Sequence, residues 1–360
     1  MSTTTVNIYS PVFIITQSKT NVKPCGNNKP CGNNEADEKL SKWAEHKKIS
    51  DRIAQKLYAL GYERRAKRMQ ECADFVEYKY CADCGKYMVK RANLCRDRFC
   101  STCQWRLSLQ RYGAMSRIVD TLSNAYPEAS YSLVTLTVQN CKPSELAKTL
   151  DKMGEAWHLV LNQRKLKPLL LGTARSVELT YNAKTKELHP HYHVMVAWYN
   201  KADSENTARL IAYWLKAATK KGLTANIKAQ HAADVEAENG IAFEKAVLET
   251  FKYAVKSKQL KDMPNDVFAE VVKQWANKRL VAFTGKIKEY ARLTEAESME
   301  EVQNDEIQLS PCKCCGGINT HTYAYKWAFG LNAYVPFATE KTGGVTPNVE
   351  AQTEDEGEKE

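Results

Sequence analysis

LHPHYHVMVAW (188–198) reads as a β-strand with two distinct faces. In extended backbone alternate side chains share a face, so His189, His191, His193 and Met195 point one way while Tyr192, Val194, Val196 and Trp198 point the other. The second set is apolar throughout and faces a core. Three histidines remain on the opposite face, where two imidazoles at i and i+2 can chelate one divalent ion.

The preceding stretch, TARSVELTY (173–181), repeats this polarity. Val177, Leu179 and Tyr181 fall on one face and Ser176, Glu178 and Thr180 on the other. A short polar turn, NAKTKE (182–187), joins the two stretches and suits an antiparallel hairpin. Pairing Tyr181 with Leu188 sets Glu178 opposite His191, and a slip of two residues sets it opposite His193. Either register stands a carboxylate beside the imidazoles. Imidazole and carboxylate with open positions suit Mg²⁺ or Mn²⁺ that must also hold a phosphate. His189 shares the face but lies one step outside the chelating pair, so it is expected to support the site rather than bind the ion.

Outward from the hairpin, SLVTLTV (132–138) reads as a strand and 144–163 as a helix capped by Ser144. A helix over about 204–219, a strand over 224–235 and a helix over about 241–258 follow. This order gives an α+β fold, an antiparallel sheet with helices mainly on one face. The expected organisation is a flexible arm (1–40), a basic helical region (41–71), a zinc-ribbon-like module with its following helix (72–126) and the αβ domain (127–262). A helical extension (263–300), a Cys/aromatic region (301–340) and a disordered acidic tail (341–360) complete the chain. The aromatics of 323–337 read as core rather than as a platform for stacked bases.

In ETFKYAVK (249–256), spacings of four and three put Glu249, Tyr253 and Lys256 on one helix face. A tyrosine nucleophile, with a pKa near 10, needs a base, metal or cation at neutral pH. Lys256 could stabilise its phenolate or bind a phosphate, and Glu249 could take a proton from tyrosine or water.

Twelve cysteines, locally clustered, argue for metal rather than disulfides and for a reducing compartment. Cys81-x2-Cys84 and Cys100-x2-Cys103 match a four-cysteine Zn²⁺ ribbon, with Cys95, or Cys72, as an alternative ligand. Cys312, Cys314 and Cys315, with His321 nearby, could form another site, recruiting Cys25 or Cys31. Residues 42–117 carry 18 Lys and Arg against 8 Asp and Glu, the whole of the net charge of +10. Such clustering favours a polyanionic partner. Lys86, Lys90, Arg91, Arg96, Arg98 and Arg106 are the expected DNA-contacting residues. No stretch is apolar and long enough to span a membrane, so a soluble cytoplasmic protein is expected.

LVTLTV (133–138), HPHYHVMV (189–196) and ETFKYAVK (249–256), in this order, together with CSTCQWRLSL (100–109), resemble the replication initiators of rolling-circle plasmids. These belong to the HUH endonuclease superfamily, with a ferredoxin-like core. The resemblance covers about 72–260. It implies a single-strand nick at the double-strand origin by tyrosine attack with a divalent ion. The products are a 5′-phosphotyrosyl link and a 3′-OH primer, and a second cleavage ends the round. By the same resemblance Tyr253 is the nucleophile, His191 and His193 are metal ligands, and Glu249 activates water in termination. Double- and single-stranded origin DNA and a host helicase and polymerase are the implied partners, and dimerisation is assigned to residues 265–337. Two departures stand out: Ser101 or Thr102 replaces the family's proline between the late cysteines, and Leu107 replaces an arginine. The alternatives are a related transposase or relaxase, and a non-catalytic zinc-containing DNA-binding regulator.

Overall fold

The computed structural model describes residues 34–200, 204–235, 250, 257–302, 312 and 314–337. Glu249, Tyr253 and Lys256 lie outside these residues, as do most of the expected helix over 241–258, Cys25 and Cys31, and the acidic tail. In chain order the described elements are α1 (Asn34–Ala59), α2 (Glu63–Gln70), β1 (Phe75–Cys81), β2 (Lys86–Ala92), α3 (Ser101–Ala125) and β3 (Ser130–Thr137). Then come α4 (Leu146–Leu161), β4 (Leu170–Asn182), β5 (Glu187–Trp198), α5 (Ser204–Lys220), β6 (His231–Val235), α6 (Ser257–Asp262) and α7 (Asn265–Gln274). The series closes with β7 (Val281–Thr284), α8 (Gly285–Val302), β8 (Thr320–Ala328) and β9 (Ala333–Pro336). No helix among the described residues is long and apolar enough to cross a membrane.

The chain divides into two compact units. The first takes residues up to Lys48, Glu71–Leu94 and the chain from Ile307 onward; the second takes Ile49–Gln70 and Cys95–Glu306. The expected organisation keeps 72–126 together and sets 301–340 apart. In the structure the segment after Glu71 is joined instead to the C-terminal region, because their strands share one sheet.

In the second unit the strand order is β6-β3-β5-β4-β7, with every neighbouring pair antiparallel. The run β3-α4-β4-β5-α5-β6 is a βαββαβ arrangement with its four strands in the order fourth, first, third, second, the ferredoxin-like topology, and β7 is added beside β4. Tyr181 pairs with Leu188 and Glu178 with His191, the register expected from the hairpin. An Asx turn tightens the connection: the Asn182 side chain accepts from the Lys184 N–H at 3.0 Å.

The apolar face of this sheet buries Val134, Leu136, Val177, Leu179, Tyr192, Val194 and Val196. Trp214 of α5 packs on Tyr192 there, ring centroids 5.9 Å apart. Helices cover the other face too, contrary to the one-sided expectation. Met115, Ile118, Val119 and Leu122 of α3, with Ile287 and Ala291 of α8, pack against Tyr131, Ala174, Met195 and Ala197. The reason is visible in β5 itself. Past His193 the histidine face turns apolar, and Met195 and Ala197 need their own cover.

Three other expectations change. The helical extension expected over 263–300 is interrupted by a strand: it forms α7, β7 and α8, and β7 adds its β-prone VAFT to the β4 edge. At the β7–α8 junction Gly285 has φ +57°, and a Cβ there would meet Leu171 O and lie 2.9 Å from Gly172 Cα, so only glycine fits. Ser144 does not cap α4: it sits in a 3-10 turn over Pro143–Glu145, and α4 begins without a side-chain cap. The strand expected over 224–235 shortens to β6, because Ile227–Ala229 form a 3-10 turn closed by the Asn226 side chain on Lys228 N.

The first unit holds a four-stranded antiparallel sheet, β2-β1-β8-β9. Tyr78, Tyr325 and Trp327 are buried, and Trp327 packs edge-on against Tyr334 at 5.1 Å, so these aromatics of 323–337 are core.

Candidate metal centre

In the second unit β4 and β5 bring Glu178, His191 and His193 together, with one ligand atom of each within 4.8 Å of the others. Glu178 Oε2 lies 2.8 Å from His193 Nε2 and 3.3 Å from His191 Nε2. One buried carboxylate oxygen thus faces the Nε2 atoms of two imidazoles carried two residues apart on one strand. His191 Nδ1 is buried and has no hydrogen-bond partner among the described residues. Two imidazole nitrogens and a carboxylate oxygen, converging and nearly enclosed, are a donor set that could hold a divalent ion.

The supporting residues come from β3. Thr135 pairs with His193 in the sheet, and its Oγ1 is 3.2 Å from His193 Nδ1. With Nδ1 engaged there, Nε2 is the nitrogen left to face a ligand. His189 is held differently. Its Nδ1 donates to Asn140 Oδ1 at 2.8 Å, and its Nε2 accepts from Thr137 Oγ1 at 2.8 Å. Asn140 is oriented by its own donation to Glu187, 3.2 Å away. Burial, reinforced by nearby His191, holds the His189 pKa below the usual histidine range. With both ring nitrogens occupied, His189 has no lone pair to offer the centre. Thr135, Thr137 and Asn140 were not picked out from the sequence. The signal was the threonine alternation within LVTLTV, which places both hydroxyls on the histidine face.

Tyr192, between His191 and His193, projects to the opposite face. Burial pushes its pKa up to about 12 despite the Arg175 guanidinium 4.1 Å from its ring, so it is no candidate nucleophile. Two described residues that flank Tyr253 in sequence, Thr250 and Gln259, contact β4. Ser176 Oγ donates to the carbonyl of buried Thr250, and Tyr181 N donates to Gln259 Oε1 at 3.2 Å. These two contacts flank the β4 stretch carrying Glu178.

The cysteines group differently from the expected Cys81, Cys84, Cys100 and Cys103 set. In the first unit Cys81 and Cys84 stand with Cys312 and Cys315. Cys81 Sγ is 3.7 Å from Cys315 Sγ, and Cys84 Sγ is 3.8 Å from Cys312 Sγ. Cys314 is not in this group, and His321 sits in β8 opposite Tyr80. In the second unit Cys95, Cys100 and Cys103 converge around the start of α3, with Cys95 and Cys103 Sγ atoms 3.6 Å apart. Backbone N–H groups of Arg96 and Asp97 point at Cys103 and Cys95, at 3.2 and 3.5 Å. Spacing alone could not separate these sets, because Cys81-x2-Cys84, Cys100-x2-Cys103 and Cys312-x2-Cys315 look alike. The next residue does: glycine follows the first and third pairs, as CADCG (81–85) and CKCCG (312–316), whereas glutamine follows the second.

The basic residues expected to touch DNA fall in both units. Lys90 and Arg91 reach the buried Glu77 at 3.0 and 3.4 Å. Lys86 opens β2, Arg96 has positive φ, and Arg106 lies over the Trp105 ring at 5.5 Å. Arg98 has a structural task, donating to Trp275 O at 2.6 Å and capping the C-terminus of α7.

Fold and site together define an α+β protein with a His–hydrophobic–His centre, completed by a glutamate, on a ferredoxin-like sheet. The profile of the family described as "Replication protein" matches residues 86–335. The chain belongs to this family, the initiators of rolling-circle plasmid replication. Among similar proteins, one named "Protein rep" from Streptococcus pneumoniae serotype 2 (strain D39 / NCTC 7466) is 27% identical over 270 residues, covering 72% of this chain and 81% of that protein. A second "Protein rep", from Bacillus amyloliquefaciens, is 28% identical over 286 residues, covering 73% and 83%. No solved structure matches.

Proposed function

We propose that this plasmid replication initiator nicks one strand of the double-strand origin, with Tyr253 as nucleophile beside the Glu178–His191–His193 centre. The observation that carries the reading is the convergence of those three side chains on one face of β4 and β5, with Thr250 fixed to Ser176 of the same face. Thr250 precedes Tyr253 by three residues in the sequence.

In this reading Glu178, His191 and His193 hold Mg²⁺ or Mn²⁺, with Thr135 orienting His193. A bound divalent ion would polarise the scissile phosphate. The Tyr253 oxygen attacks phosphorus, the bond to the 3′ oxygen breaks, and the products are a 5′-phosphotyrosyl end and a 3′-OH that primes synthesis. Lys256 stabilises the phenolate or the phosphate. Glu249 takes a proton from the water that ends the round by hydrolysis. Lys86, Lys90, Arg91, Arg96 and Arg106 contact the origin phosphates, and a host helicase and polymerase follow the nick.

The test is incubation of purified protein with Mn²⁺ and supercoiled origin plasmid. The wild type is expected to give open circle, and Tyr253→Phe none, while both bind origin DNA. A wild type that binds and never nicks would make the protein a DNA-binding regulator. A folded Tyr253→Phe that nicks at the wild-type rate would remove the tyrosine from its role.

A further inference from the structure

The two glycine-tailed cysteine pairs of the first unit are built alike. In each, the N–H of the following glycine returns to the carbonyl of the first cysteine: Gly85 to Cys81 at 2.8 Å and Gly316 to Cys312 at 2.7 Å. Both glycines have positive φ, 69° and 73°, which suits glycine in a tight turn. Further bonds tie the pairs together. Ala82 N donates to Asn319 O at 2.9 Å, and Asn319 N donates to the Asp83 carboxylate at 3.3 Å. The Asp83 side chain fills the space where a Cβ on Gly317 would stand.

The sulfur spacing identifies what such a pair of turns is for. A tetrahedral ion with metal–sulfur bonds of about 2.3 Å separates its sulfurs by about 3.8 Å. The separations in the structure are 3.7 and 3.8 Å, one from each turn to the other. A disulfide would need about 2.05 Å. Four sulfurs with no nitrogen or oxygen donor select a soft or borderline ion, and a closed tetrahedron leaves no position for substrate.

We propose that Cys81, Cys84, Cys312 and Cys315 hold one structural Zn²⁺, a site composed of two turns that are more than 220 residues apart in sequence. The ion clamps the β1–β2 hairpin to the segment that leads into β8. Cys314 is the built-in control: it neighbours Cys315, is not buried, and is outside the ligand group. The C-terminal segment is therefore half of the zinc module rather than an appendage, and a chain ended before Cys312 loses the site. None of this depends on the nicking mechanism, so either can fail alone.

The experiment is pulse alkylation of the full-length wild-type protein, read residue by residue by mass spectrometry, with and without a zinc chelator. With zinc, Cys81, Cys84, Cys312 and Cys315 are expected to resist labelling while Cys314 reacts. After chelation all four should react together, at least tenfold faster. Cys315 labelling as fast as Cys314 in zinc-loaded protein would overturn the proposal. Zinc content by elemental analysis gives a second readout. Cys81→Ser/Cys84→Ser and Cys312→Ser/Cys315→Ser are each expected to lose one equivalent, and the fourfold variant no more than one. Full zinc retention in Cys312→Ser/Cys315→Ser would contradict the assignment.

Discussion

Thr135→Val tests the geometry of the histidine centre without touching a proposed ligand. Valine keeps the β-branched shape that β3 favours, so the backbone and packing are preserved. What is lost is the hydroxyl 3.2 Å from His193 Nδ1. His193 is 5% exposed, so no water replaces it cheaply, and an unsatisfied buried group costs about 1–3 kcal/mol. Without an ion, His193 Nε2–H donates to the Glu178 carboxylate at 2.8 Å. An ion needs that nitrogen bare, so the ring proton must move to Nδ1, where the Thr135 hydroxyl can accept it and valine cannot. A supporting bond of this kind is worth about 10- to 100-fold in metal affinity. The assay is the Mn²⁺ concentration giving half-maximal nicking of origin plasmid. It should rise by about 10- to 100-fold, with full rate recovered at saturating Mn²⁺. Thr137→Val serves as the comparison, since Thr137 bonds His189. It should shift the midpoint by less than about threefold, well below the effect of a supporting bond to a ligand. An unchanged midpoint in Thr135→Val, or an equal shift in Thr137→Val, would show that the Thr135 hydroxyl does not orient His193.

Other perturbations follow from the same structure. Glu178→Gln keeps the shape but removes the buried charge, and should abolish Mn²⁺ binding by calorimetry. Trp214→Ala, at a fully buried indole against Tyr192, should cost about 3–5 kcal/mol in urea unfolding. Gly285→Ala should lose about 1–3 kcal/mol from its positive φ alone, and more if Leu171 cannot retreat. Arg98→Ala should lower stability in urea melts yet leave the salt dependence of DNA binding unchanged, whereas Arg106→Ala should reduce the salt slope.

Much of the second unit was legible in sequence because its signals are local. Two-faced alternation in 173–181 and 188–198 fixed a hairpin, and the hairpin fixed Glu178 beside the histidines. The reach of each signal explains what was missed. Helix cover on both faces required reading Met195 and Ala197 as apolar continuations of the histidine face. The break after α7 depended on β7 finding an edge on β4, more than 100 residues earlier in the chain. The cysteine partners were hidden for the same reason. CxxC spacing reports a turn, and nothing local in Cys81-x2-Cys84 says whether its mate is Cys100 or Cys312. Only the matching glycine tails carried that information.

Mass spectrometry of the protein–oligonucleotide adduct after Mn²⁺-dependent cleavage of single-stranded origin DNA identifies the attacking residue. One covalent 5′-phosphoryl link, on Tyr253, is expected. A link on another tyrosine, such as Tyr80 of β1 or Tyr290 of α8, or cleavage with no protein-linked end, would contradict it.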